Sequence, residues 1–175
     1  MNNEQLHLLC NGILELKPHF IGVFAYDQLT KPATLERDKF CIVNFDPSYK
    51  DGSHWVTIIF RSKGRKNIYF DSYGRPPPPE KHIFHHVLGK CFDWNNVPLQ
   101  HPFSTACGQW CIFFCCAFFS GNSLCKISEH FSEESDLLKN DFAINQFVND
   151  LLTDDELYKV IDRDFLKKQF AVALK

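Results

Sequence analysis

Cys107, His54, Asp71 and Gln100 are the residue types that a thiol-based acyl transfer needs. A cysteine thiolate is the nucleophile, and an imidazole takes or holds its proton. An acid orients the imidazole, and an uncharged amide donates to the oxygen that becomes negative in a tetrahedral intermediate. Ser104, Thr105 and Ala106 before Cys107 are small, and Gly108 follows it, so a substrate backbone has room to approach. Each residue also has a plainer reading. Cys107 could be one more core cysteine, His54 an ordinary surface or core residue, Asp71 the acid that opens the Ser72-Tyr73-Gly74 turn, and Gln100 a solvated loop residue. The set carries more weight than any member, because all the required roles occur in one chain.

Those side chains need elements to position them. Apolar spacing from Leu6 to Leu16 predicts a helix over 3–16, with Asn3 as its cap. Short apolar runs predict strands at Phe20–Ala25, Phe40–Phe45, His54–Arg61 and Asn67–Asp71, with Asp27 to Arg37 as loop. The Ser62–Lys66 turn makes the last two strands an antiparallel hairpin, with His54 and Asp71 at its open end. Cross-strand neighbours there can be close enough for a carboxylate to hold an imidazole. Gly74 and the four prolines before Glu80 exclude regular structure. Lys81–Leu88 reads as a helix and Cys91–Trp94 as an edge strand. Ser104–Gly121 is apolar almost all round, which predicts a buried central helix capped by Ser104 and ended by Gly121. Cys107 then lies in its first turn, where unpaired N–H groups and the helix dipole favour a thiolate. Asp141–Leu152 and Asp162–Leu174 read as amphipathic helices. Helix, then strands, then helices argues for an α+β fold in a single domain, 1–175.

Composition narrows the class. A chain of 175 residues with 18 Phe can bury a sizeable core. The net charge of -2 gives no basic surface for nucleic acid. The start of the chain lacks the charged-then-apolar order of a signal peptide. The longest apolar run, Trp110 to Phe119, is about half of the roughly 20 residues that span a bilayer. A soluble, non-secreted protein in a reducing compartment is the expectation. Four of the eight cysteines (Cys107, Cys111, Cys115 and Cys116) fall in one helix, where they cannot brace distant segments. They read as reduced core residues apart from Cys107.

The same motifs resemble those of the adenovirus-type maturation proteases, the adenain family, in the clan that includes the Ulp1-like SUMO proteases. Phe20-Ile21-Gly22-Val23-Phe24 with Asp27, and Cys41-Ile42-Val43-Asn44, resemble the family's first two strands. Gly52-Ser53-His54-Trp55 resembles its histidine motif and Tyr69-Phe70-Asp71-Ser72-Tyr73-Gly74 its acidic motif. Gln100 to Gly108 resembles its Gln-to-Cys motif at the same spacing, the most specific match. The resemblance implies a papain-like arrangement, a sheet packed on a central helix with the nucleophile at its N-terminus. It implies Cys107 as nucleophile, His54 as base, Asp71 as third member and Gln100 in the oxyanion hole. Trp55 becomes a candidate wall of the substrate channel, and Gly52, Ser104 and Gly108 candidate substrate-binding positions.

Two departures matter. The acid is Asp, where adenoviral enzymes commonly have Glu, and the chain is shorter between the acid and Gln100. Both features look most like proteases of adenovirus-like viruses and Maverick/Polinton elements. The implied activity is cleavage after Gly-containing motifs, Gly-Gly or Gly-x-Gly, in capsid or core precursor proteins during virion maturation. The host nucleus or the virion is the implied location, with no membrane. The residues themselves call for no cofactor and no metal. The resemblance implies a viral peptide or DNA as activator; Cys91 lies roughly where the peptide's disulfide partner would fall, and the net charge offers little to DNA phosphates. The alternatives are a deubiquitinase-like or SUMO-removing protease, or, outside enzymes, a Cys-rich binding module or an inactive protease scaffold. The cysteines lack the two-residue spacing usual for structural zinc.

Overall fold

Phe20–Ala25, Lys39–Asn44, Trp55–Phe60 and Asn67–Phe70 form strands β1 to β4, and Phe92–Trp94 forms a short β5. The computed structural model describes residues 1–33, 35–132 and 136–153; the helix expected over Asp162–Leu174 lies outside them. The five strands lie side by side in chain order. β1 runs parallel to β2, β2–β3 and β3–β4 are antiparallel, and β4–β5 is parallel. β5 is an edge strand, as its sequence predicts.

Both sheet faces are covered, which is why the central strands read as continuous apolar runs rather than as an alternation. Phe40, Ile42, Trp55, Ile59, Ile68 and Phe70 face the main helical layer. Cys41, Val43, Val56, Ile58, Phe60 and Tyr69 point the other way, toward helix α2 (His82–Leu88). The main layer holds α1 (Asn3–Gly12), α3 (Cys107–Phe119), α4 (Leu124–Ser132) and α5 (Leu137–Thr153). α3 is its centre, packed on β3, α1, α4 and α5. Phe114 of α3 stacks on Phe70 of β4 with ring centroids 4.1 Å apart. The architecture is α+β, as the order of elements predicts.

α1 ends at Gly12, short of the expected Leu16, and α4 is not among the expected elements; three further helix boundaries differ, each for a local reason. The cap of α1 is Asn2 and not Asn3: its side chain accepts the Gln5 N–H while Gln5 returns a bond to the Asn2 N–H, a capping box. α3 starts at Cys107 and not Ser104. The Ser104 hydroxyl accepts the Ala106 N–H at 3.2 Å, and its carbonyl accepts from Gln100 and Tyr73, which holds it in a turn outside the helix. α5 starts at Leu137 rather than Asp141, with the Asp136 side chain accepting the Leu138 N–H. The end of α3 is as expected. Gly121, with φ +103°, donates to the Phe118 carbonyl and Asn122 donates to Ala117, a Schellman ending.

Candidate active site

The β3–β4 hairpin turns on Lys63 and Gly64, both with positive φ, the turn that matches the twist of two antiparallel strands. Its register sets Thr57 opposite Phe70. Continued past the strand ends, the same register sets Tyr73 opposite His54, with Asp71 on the diagonal. His54 Nε2 lies 2.8 Å from Asp71 Oδ1. The His54 side chain is 10 % exposed and that of Asp71 is fully buried. The Tyr73 ring stacks on the imidazole at 4.8 Å and the Phe45 ring meets it edge-on at 5.0 Å, so the ring is clamped on two sides.

Asp71 has two jobs, not one. Its Oδ1 also accepts the Tyr73 N–H at 2.9 Å, and its carbonyl accepts the Gly74 N–H at 2.7 Å. The plain reading of Asp71 as a turn opener and the chemical reading as the imidazole's partner therefore both describe it. Gly74 has φ +69°, and a Cβ there would lie 2.4 Å from the Val97 carbonyl carbon, so this turn admits only glycine. Asn95, which the sequence did not single out, is buried beyond it. Its Oδ1 accepts the Asp71 N–H at 3.0 Å and its Nδ2 donates to the Asp71 carbonyl.

Cys107 opens α3 directly against this pair, at 9 % exposure. His54 and the backbone N–H groups of Trp55 and Gly108 are the groups that favour its thiolate. With Nε2 turned to Asp71, Nδ1 is left for Cys107. Burial pushes the thiol up, but the His54 hydrogen bond and those backbone groups outweigh it, and Cys107 sits below the ordinary thiol value. Burial likewise opposes the imidazolium, yet the bonds to Asp71 and Cys107 raise His54 to about 9. Both directions favour a thiolate–imidazolium pair. Cys111 and Cys115, one and two turns along the same helix, are pushed well up by burial, and so is Cys10. All eight cysteines are free thiols. Identical side chains on one helix thus differ because only Cys107 has a cationic neighbour.

Gln100 is completely buried. Its Oε1 accepts the Ser72 hydroxyl at 2.6 Å, and its Nε2 donates to the Ser104 carbonyl at 2.9 Å, with the Tyr73 hydroxyl at 3.3 Å. Gln100 is therefore no solvated loop residue; it ties the acid turn to the segment that enters α3. Both sides of it are held from α5. Asn140 Nδ2 donates to the Leu99 carbonyl at 3.1 Å. Asp141 accepts the His101 N–H at 3.0 Å and the buried Trp110 indole N–H at 2.8 Å. Sequence reading assigned Asn140 and Asp141 no role here, because their partners lie about 40 positions upstream. The only signal was a polar pair at the start of an amphipathic helix. Asp141→Ala is expected to cost about 3 kcal/mol, since it strands two donors, one of them the buried indole. Asp141→Asn, which keeps an acceptor, should lose less; urea denaturation of the two variants checks this.

The expected substrate-binding positions divide. Trp55 and Gly108 flank Cys107, and a Cβ on Gly108 would lie 3.5 Å from the Trp55 ring. Ser104 borders the same segment through its carbonyl. Gly52 has φ +91°, and a Cβ there would run into the Asn44 side chain, so packing on β2 is enough to require glycine. Among the described residues no group of three or more His, Cys, Asp or Glu side chains is gathered as a metal would need, and no helix is long and apolar enough to cross a membrane. A cavity of about 780 Å³ lies at the other end of α3, between Asp38, Arg61, Arg65 and Phe118, and shares no residue with this cluster.

No family model and no curated protein matches the sequence. Solved structures do. The SUMO protease Ulp1, with its catalytic cysteine oxidised to a sulfonic acid, superposes with a TM-score of 0.52 at 18 % identity, covering 90 % of this chain and 79 % of that one. The fold is that of the Ulp1-like proteases. The C-terminal Ulp1 protease domain in complex with SMT3, the yeast ortholog of SUMO, gives a TM-score of 0.50 at 17 % identity, covering 90 % and 78 %. The ASFV pS273R protease gives 0.48 at 18 % identity over 78 % of this chain, which spans 63 % of that protein's length. The likeness to Ulp1 is one of fold; the chemistry assigned to this chain rests on its own residues.

Proposed function

We propose that this chain is a cysteine endopeptidase with Cys107 as nucleophile, His54 as acid–base, Asp71 as the group that orients His54, and Gln100 with the Cys107 N–H as oxyanion donors. The observation that carries the reading is the buried Asp71–His54–Cys107 line, in which the thiol is lowered and the imidazole raised. The thiolate attacks the carbonyl before the scissile bond, forming a C–S bond and an oxyanion. His54 gives its proton to the leaving amine as the C–N bond breaks. Water, deprotonated by His54, then hydrolyses the thioester and releases the acid and the free thiol. Gln100 Nε2 donates to the Ser104 carbonyl and to the Tyr73 hydroxyl at rest, so serving the oxyanion means exchanging the longer Tyr73 bond for one to the substrate oxygen.

The substrates proposed are capsid or core precursors of a virus or virus-like element, cut after Gly-Gly or Gly-x-Gly, with the host nucleus or virion as the location. This assignment is supported by the Gln100–Gly108 and Gly52–Trp55 motifs and by the Asp at position 71. A peptide or DNA activator belongs to the same proposal. The second reading, removal of a SUMO-like modifier, is favoured by the fold shared with Ulp1. Both readings need small residues before the cut. The test is cleavage of a peptide library rich in Gly-Gly and Gly-x-Gly, read by mass spectrometry, with Cys107→Ala as control. Cysteine-dependent cuts after Gly support the protease, and a SUMO fusion offered beside a capsid-precursor fragment separates the two substrate readings. Cuts that persist in Cys107→Ala would sink the assignment.

A further inference from the structure

Met1 lies against Trp55 and Gly108, the residues that follow His54 and Cys107 in the chain. The Trp55 indole N–H donates to the Met1 carbonyl at 3.2 Å. The Met1 Cβ is only 3.0 Å from where a Gly108 Cβ would be. Met1 therefore fills the space that the missing side chain of Gly108 leaves open, and it takes the one polar donor on the Trp55 ring. Trp55 follows His54 in the chain and Gly108 follows Cys107, so the two border the reactive pair. An extended strand approaching Cys107 between them would need that same space and that same donor. From this overlap we infer that Met1 is a gate: it occupies the path of the substrate strand and has to leave before a peptide carbonyl can reach Cys107.

The inference rests on the reading of Cys107 as the reactive thiol, and adds how access to it is controlled. The groups around the sulfur differ in how firmly they are held. His54 is fixed by Asp71 and clamped between Tyr73 and Phe45. Trp55 begins β3 and Gly108 is buried in α3. Met1 precedes the Asn2 cap of α1, outside the helix, and is only partly buried. It is the group beside the thiol that can swing away with α1 left intact. Its thioether side chain is long and unbranched, suited to filling an irregular gap and to leaving it.

Two reagents separate access from reactivity. Iodoacetamide is small, whereas an extended peptide ending in Gly, with a vinyl ester in place of the scissile carbonyl, needs the whole path. Labelling is read by mass spectrometry on the Cys107 peptide, so that exposed Cys91 and Cys125 do not interfere. Met1→Gly, made by removing a leader so that glycine stands at position 1, is expected to react with the peptide probe about fivefold faster or more, because the rate follows the open fraction. Its iodoacetamide rate should stay within about twofold of the parent, since reactivity of the thiolate itself is set by His54. Met1→Leu, similar in size and equally apolar, should keep the parent's slow probe rate. A thermal melt of each variant checks that α1 remains in place. Equal probe rates in parent and Met1→Gly, or a slower rate in Met1→Gly, would overturn the gate while leaving Cys107 as nucleophile. Failure of iodoacetamide to label Cys107 in any variant would overturn both.

Discussion

Replacing Cys107 by Ala is expected to remove peptide cleavage altogether, a loss on the order of 10⁵-fold or more, as for the nucleophile of other hydrolase triads. No neighbouring thiol can substitute. Cys111 and Cys115 lie on the same helix but deeper, and burial holds both as neutral thiols at any physiological pH. The substitution should be mild for folding, about 1 kcal/mol, because one sulfur atom is lost at the margin of the core. Activity and stability therefore separate. Steady-state cleavage of a Gly-Gly peptide beside a urea melt checks the pair of outcomes. Retention of more than a few per cent of activity in a folded Cys107→Ala protein would refute the mechanism.

His54→Ala should lose almost as much, on the order of 10⁴-fold, and it should do so for two reasons. The leaving amine loses its proton donor, and Cys107 loses the neighbour that keeps it ionised. With His54 gone, burial dominates at the thiol and its ionisation moves toward alkaline pH. Alkylation of Cys107 at neutral pH should accordingly slow and recover only as pH rises. The variant should also be less stable, by about 3 kcal/mol, because a buried carboxylate loses its cationic partner. His54→Gln keeps a donor for Asp71 and should regain part of that stability without activity. In the parent, activity is expected to be bell-shaped in pH. The acid limb lies below the ordinary thiol range, where Cys107 takes up its proton. The alkaline limb falls near 9, where His54 loses the proton that it must donate. A pH–rate profile without an alkaline fall between about 8 and 10 would count against the imidazolium form.

Sequence alone determined the candidate set and most of the elements, though not α4. The strands at Phe20–Ala25 and Trp55–Phe60 were legible because β-branched and aromatic blocks end at turn residues. The hairpin was legible because a Lys-Gly turn forces an antiparallel return, and that return alone brings His54 and Asp71 to one end. α3 was legible because an apolar helix must be buried, which placed Cys107 at a helix start. These are local signals, carried by neighbours in the chain. The tertiary structure decided what depends on distant partners. Ser104 looked like a helix cap and is instead held by Gln100 and Tyr73. Gln100, whose plainer reading was a solvated loop residue, is buried, with Asn140 and Asp141 bracing the backbone on either side. Met1 gave no signal at all, yet it touches Trp55 and Gly108. Hydropathy period and turn chemistry are properties of a few adjacent residues, so a sequence displays them. A hydrogen bond across about 40 positions, or a side chain filling a glycine's gap, exists only once packing has fixed where the backbones pass.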